Sequence, residues 1–351
     1  MSKINIIYLL PEMKGVSGGA KVIYDHSLIL NEINKKVESK ILHVKKKLTY
    51  KVELSLTKRM KLNKNLIGGW NGKKMKVSKN FTPDKNWYNG KVRLANSLQF
   101  NSKNDFVIIP EIFSHFAEDL NLKKRDVKYG IFVQGSYHVN STENYNKIKS
   151  SYENSDIIIC SSIDSQEFIE KIFPKCKNKI LKFNISINLL KKKIKKKNYI
   201  SCMPRKLPAH FHLLKFYLKN KLPGNWKIDV IENVSDREVK IRINRSKIFL
   251  SFSHFEGLGL PPLEAALAKN KIIGYIGGGG KEYWRKPIFH EIKYGEIKIF
   301  GDTILNEIKN YNAKWIEQTS KQREYLIKKY SKESEVKSLN YLSNKIIKFF
   351  N

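Results

Sequence analysis

The sequence predicts an α/β protein built from two Rossmann-like domains that face each other across a cleft. Three observations carry that expectation. Short apolar, β-branched runs alternate with helical patterns, the mark of parallel βαβ units. The alternation runs its course twice, and a lysine-rich stretch near residues 184–198 separates the two series. A chain of 351 residues is also long enough for two domains of the usual ~100–200 residues each.

In the first series Ile4–Leu10 reads as a buried strand, followed by the loop PEMKGVSGG. Val22, Ile23, Leu28, Ile29, Leu30 and Ile33 then line a helix. Ile41–Val44, Phe106–Ile109, Ile131–Val133 and Ile157–Cys160 are the next strands. Residues 45–100 are basic, polar and weakly periodic, with room for extra strands or an insertion.

The second series opens with the strand Tyr199–Met203, the helix Phe211–Leu218 and the strand Trp226–Ile231. The helix Ser235–Asn244 and the strand Ile248–Phe252 come next, then a helix-forming run, Leu263–Ala268, and the strand Ile272–Ile276. From about Ile304 to Asn351 the chain reads as mostly helical. Ligands of open α/β sheets sit beyond the carboxyl ends of the strands, so those ends are where function is expected.

Residues 251–268, SFSHFEGLGLPPLEAALA, occupy such an end. Glu256 and Glu264 stand eight positions apart, separated by Gly257, Leu258, Gly259 and Leu260 and by Pro261 and Pro262. Proline suits a first helical turn, where its missing N–H is not needed. Glu264 falls in or near that turn, where the helix dipole favours a carboxylate. The unpaired N–H groups of the same helix end form an anion site. A phosphate site, glycine turns and two acceptors suited to sugar hydroxyls together point to a nucleotide-sugar.

The same block resembles the E-x7-E element of retaining glycosyltransferases of the GT-B fold, in the large family-4 group. The resemblance implies that Glu256 faces the transferred sugar and Glu264 binds the nucleotide ribose. It implies an acceptor-side domain over residues 1–185 and a nucleotide-sugar-binding domain over 186–331, with a final helix, 332–351, crossing back. The implied activity is transfer of a sugar from a nucleotide-diphosphate sugar, with retention, to a glycan or lipid-linked glycan in polysaccharide or glycoconjugate synthesis. Rival readings are a GT-B-shaped epimerase or phosphorylase, or a non-catalytic basic module that binds nucleic acid or a membrane.

Other motifs gather around this one. Arg205 and Lys206 follow the first strand of the second series, well placed to hold a diphosphate. They resemble the family's basic element, but stand adjacent where the family has them several residues apart, so either could act. Gly18 and Gly19, after Ser17, would let a phosphate approach the first helix. The run Gly277–Gly280 reads as a mobile loop at a strand end. Glu111, and then Gln134, Tyr137 and His138, follow first-domain strands and are candidates to read the acceptor.

Composition bounds the partners. Lys and Arg number 67 against 32 Asp and Glu, a formal charge of +35. That excess is either compositional drift in a chain rich in Lys, Asn and Ile, or attraction to a polyanion, an anionic membrane surface or nucleic acid. The cluster Lys191–Lys193 and Lys195–Lys197 is its densest point. Without a zinc-finger, RRM or basic-zipper pattern, no nucleic-acid partner is expected. The three cysteines, Cys160, Cys176 and Cys202, show no metal spacing, and no H-E-x-x-H or Asp-x-Asp motif occurs. A metal-free enzyme without a cofactor is therefore expected, with the nucleotide-diphosphate sugar as donor substrate. With no signal-like or membrane-spanning run at the N-terminus, the expected location is cytoplasmic, at most peripheral on the membrane.

Overall fold

A computed structural model describes residues 3–12, 17–45, 76–79, 81–84, 88–140, 144–190 and 192–351. The chain divides into two compact units. The first holds Met1–Ser161, Ser165–Phe183 and Val336–Asn351, and the second Ser162–Asp164 and Asn184–Glu335.

Among its described residues the first unit has a six-stranded sheet. Its strands are β1 (Ile4–Pro11), β2 (Val37–Val44), β3 (Asp105–Pro110), β4 (Lys128–Val133), β5 (Ile157–Cys160) and β6 (Ile180–Lys182). They lie in the order β2-β1-β3-β4-β5-β6, with every pairing parallel. Tyr8 pairs with Ile41 on one side and Ile108 on the other. Alternate residues of the strands, Ile7 and Leu9, Val107 and Ile109, Ile131 and Val133, point into one core with Phe116, Tyr152 and Phe173. The end of helix Lys332–Ile347 belongs to this unit: Asn34 Nδ2 donates to Ser343 Oγ at 3.1 Å, and Phe349 stacks on Phe106 at 6.1 Å.

The second unit carries β7 (Tyr199–Cys202), β8 (Lys227–Val230), β9 (Ile248–Phe252), β10 (Lys271–Tyr275) and β11 (Phe289–Glu291). Their order is β11-β10-β9-β7-β8, again all parallel. Ile248, Leu250 and Phe252 alternate into a core closed by Phe211, Leu214 and Leu218 from helix Pro208–Leu218 and by Phe300 and Ile304 from helix Ile297–Lys309. Strand order reverses between β7 and β9, so their carboxyl ends border the crevice where such sheets take ligands. Asp229, buried on β8, accepts from Arg242 and Arg245 and ties helix Asp236–Arg245 to the sheet.

The strands expected from the sequence are present with small changes of boundary. β6 and β11, three residues each, were not foreseen, because neither has an apolar run of its own. β2 begins at Val37 rather than Ile41, since half of Val37–Lys40 is partly exposed and polar. Of residues 45–100, many of which lie outside the described residues, Val77 bridges Val44 antiparallel and Leu94 bridges Ile41 in parallel.

Candidate active site

The second unit's site starts from β7 and β9. Past β7 the chain makes a tight 3-10 turn, Pro204–Lys206, that packs against β9. Arg205 is exposed, whereas Lys206 reaches across and its ammonium meets Glu256 Oε1 at 2.8 Å. It also donates to the His254 carbonyl at 3.5 Å. The adjacent basic pair therefore resolves into one residue on the carboxylate and one open to solvent. Both partners of the Lys206–Glu256 pair are partly exposed, so the contact is worth roughly 1 kcal/mol or less and opens at little cost.

Glu256 is held by its backbone. Its N–H donates to the Gly277 carbonyl at 2.7 Å, and its own carbonyl accepts from Gly279 N–H at 3.1 Å. This parallel bridge gives Gly277–Gly280, expected as a mobile loop at a strand end, a backbone partner at Glu256. Four glycines lower the intrinsic order of a segment, but here they let two backbones meet. A Cβ on Gly279 would stand 1.5 Å from the Gly257 carbonyl oxygen, so only glycine fits. Gly279–Glu282 then forms a 3-10 turn. Buried Tyr283 donates its hydroxyl to the Gly259 carbonyl at 2.6 Å, stapling the glycine turn from below.

Gly257, Leu258 and Gly259 are buried and Leu260 is half-buried. Gly259, at φ +77°, sets the left-handed step from which helix Leu260–Leu267 starts. Pro261 and Pro262 are the second and third residues of that helix, which removes two of its end donors. The helix end thus offers fewer N–H groups to a phosphate than the sequence suggested, although its dipole remains. Glu264 is the fifth helical residue and half-buried, one step past the first turn.

Sequence reasoning missed an aromatic shelf beside the ion pair. The His254 ring lies 4.0 Å from Phe255 and 5.6 Å from Tyr294. His210 packs 4.8 Å from Tyr294, and its Nδ1 is 3.0 Å from the Tyr275 hydroxyl. Phe255 is 53% and Tyr294 58% exposed, and Phe255 adopts φ +47°, which a bulky residue rarely does. Such strain at a strand end is a recurrent feature of functional sites. Burial, with Lys206 and His210 nearby, holds the His254 imidazolium below its ordinary range. The histidines were visible in the sequence, but nothing in their spacing joins residues 210, 254 and 294.

In the first unit Gly18 and Gly19 are the first two residues of helix Gly18–Ile33, not loop residues, and Ser17 caps it by accepting from Ala20 N–H at 3.3 Å. Gln134, just past β4, donates through Nε2 to the Gly19 carbonyl at 3.0 Å. Glu111, just past β3, is buried, and its two oxygens accept from Gln134 N–H at 3.2 Å and Gly135 N–H at 3.0 Å. Burial nevertheless pushes its carboxyl up to about 7. Tyr137 and His138 lie in a 3-10 turn, with Tyr137 half-buried 5.4 Å from Phe168 and His138 exposed. The structure thus joins Glu111, Gln134 and Gly19 into one cluster. Among the described residues no three His, Cys, Asp or Glu side chains converge as a metal-binding group.

No family model matches the sequence, and no curated protein does. Solved structures match at low identity. The sucrose-phosphate synthase of Thermosynechococcus elongatus superposes with a TM-score of 0.63 at 8% identity, covering 99% of this chain and 100% of that one. The catalytic domain of Arabidopsis thaliana starch synthase IV, bound to ADP and acarbose, gives 0.55 at 10% identity, with 99% of each chain covered. This chain has the GT-B glycosyltransferase fold. S. aureus TarM, in a complex with fondaparinux, α-GlcNAc-glycerol and UDP, gives 0.54 at 16% identity over 69% of this chain. The match spans only 56% of TarM. Within the GT-B fold, the ion pair stands at the reversal of strand order in the second sheet, and the glycine bridge at the neighbouring ends of β9 and β10.

Proposed function

We propose that the chain transfers a sugar from a nucleotide-diphosphate sugar to a hydroxyl of a glycan or lipid-linked glycan, with retention and without a metal. The observation that carries this reading is the Lys206–Glu256 pair at the β7/β9 crevice. A cation and a carboxylate that release each other cheaply suit a donor with an anionic end and a hydroxylated end. Lys206, with Arg205 beside it, holds the diphosphate. Glu256, freed, turns to the sugar and stabilises the positive charge that grows at its anomeric carbon. Glu264 takes the ribose, and the amides of Gly257, Leu258, Gly259 and Leu260 line the phosphates.

In the transfer the bond between the anomeric carbon and the diphosphate oxygen breaks, and a bond to the acceptor oxygen forms. The acceptor proton passes to the departing phosphate oxygen, whose basicity rises as it leaves. Stabilising developing charge with fixed groups is commonly the largest catalytic contribution, about 3–4 kcal/mol for a single donor. Acceptor choice is assigned to the first unit, to Gln134, Tyr137 and His138, and Gly18 and Gly19 are assigned to the donor phosphates. Glu111 serves there by shaping the Gln134–Gly135 turn.

A thermal-shift screen of nucleotides and nucleotide-sugars tests the reading. One nucleoside diphosphate and its sugar should raise the unfolding temperature, and Lys206→Ala should reduce that rise. No stabilisation by any UDP, GDP, ADP, CMP or TDP compound would overturn it. A basic binding module would keep its affinity in Glu256→Ala, whereas a transferase would lose turnover.

A further inference from the structure

Helix Pro208–Leu218 turns Phe211, Leu214 and Leu218 into the core of the second unit, yet its opposite face is not polar. Phe216 is 77% exposed and Leu213 59%, and both stand on that outer face. Between this helix and helix Ile297–Lys309 runs a groove of about 480 Å³, lined by Leu213, Phe216, Tyr217, Lys221, Ile297 and Lys298. Lys221 and Lys298 line it, and Lys215 and Lys219 are exposed, on the same helix as Leu213 and Phe216 and at its C-terminal cap. The Lys221 ammonium sits 3.4 Å over the Tyr217 ring, and the Tyr217 hydroxyl donates to Asp302. Exposed apolar side chains with lysines beside them on and next to the same two helices are a pattern that calls for a partner.

We propose that this face docks on an anionic lipid bilayer, with Leu213 and Phe216 entering the headgroup boundary and the four lysines meeting lipid phosphates. Charge decides the occupant. A second copy of a +35 chain would bring its own lysines against these, whereas an anionic leaflet attracts each of them by roughly 1 kcal/mol. An amphipathic helix lying in the interface needs the same two elements, an apolar strip and flanking cations. The lysine run that the sequence singled out is less suited. Lys191 lies outside the described residues, and Lys196 turns inward to donate to the Ser246 carbonyl at 2.6 Å. This inference stands apart from the donor site, which shares none of its residues.

Flotation of the full chain with phosphatidylcholine vesicles, with and without phosphatidylglycerol, tests it. The parent should float with the mixed vesicles and far less with the neutral ones. Leu213→Ser with Phe216→Ser should lower the bound fraction about tenfold or more, as expected for loss of two inserting apolar groups. Tyr341→Ser, an exposed aromatic of the first unit, should change nothing. Unfolding temperature should be unmoved in the serine pair; should that pair fail to fold, Lys215→Glu with Lys219→Glu must show the same loss. Absence of flotation, equal flotation with neutral vesicles, or undiminished flotation of the variants would overturn the proposal. Self-association that the serine pair abolishes would assign the face to a second copy and overturn it as well.

Discussion

The two sheets end differently at their carboxyl edges. In the second unit a carboxylate, Glu256, is partly open to water and paired with an ammonium that leaves it easily. In the first unit a carboxylate, Glu111, is buried and locked onto two backbone amides. Both edges use parallel strands, glycine and a helix start, so the fold alone does not decide the chemistry. Exposure and partner do. An exchangeable ion pair can hand its charges to a ligand, whereas a carboxylate bound to amides can only fix a turn.

The sharpest way to break this contrast is Glu256→Gln. Loss of a charge that stabilises the reacting centre should lower kcat by about 10²–10³-fold, measured in a donor-turnover assay, while unfolding temperature stays near that of the parent. Lys206→Ala should weaken donor binding by roughly tenfold to a hundredfold, as loss of a hydrogen bond to a charged group does, measured by calorimetric titration of the nucleoside diphosphate. If instead Lys206→Ala tightens donor binding, the pair is a lock rather than a cradle. Gly279→Ala should cost about 1–3 kcal/mol of stability through overpacking against Gly257, read from urea unfolding, and should also depress turnover by displacing Glu256.

The smallest expected effect lies in the first unit and concerns pH. The fold holds the Glu111 proton up to about 7, whereas the unfolded chain releases it near 4.5. Between those values the folded state binds the extra proton, so stability falls as pH rises through the window and levels off above it. Glu111→Gln removes that slope from a series of unfolding curves between pH 4 and 8. An unchanged slope would show that the buried carboxyl does not titrate there.

Much of the fold was legible because the strands are short and apolar. Ile248–Phe252 and Ile157–Cys160 stand out as short, mostly apolar runs rich in isoleucine and phenylalanine, and each is a strand with the bounds the sequence gives. Phe289–Glu291 was not legible, being three residues with a charge at its end, and it pairs only because β10 offers an edge. Within the site, Glu256 and Glu264 were legible from local spacing. The contact of Lys206 with Glu256 joins residues far apart in sequence, and only the order β9-β7 brings them together. The backbone partner of Gly277–Gly280 was not legible for another reason. Composition reports what a backbone is free to do, and says nothing of a second backbone waiting at Gly257.

That close approach has a consequence for how the site can change. Glu256 and the glycine segment are two rungs of one ladder, with Gly257 and Gly279 too near for any side chain. Neither loop can lengthen or swap residues alone without unseating the other. Exchanging donor preference by grafting loops from another protein would therefore succeed only if the ends of β9 and β10 are moved together, as a single cassette.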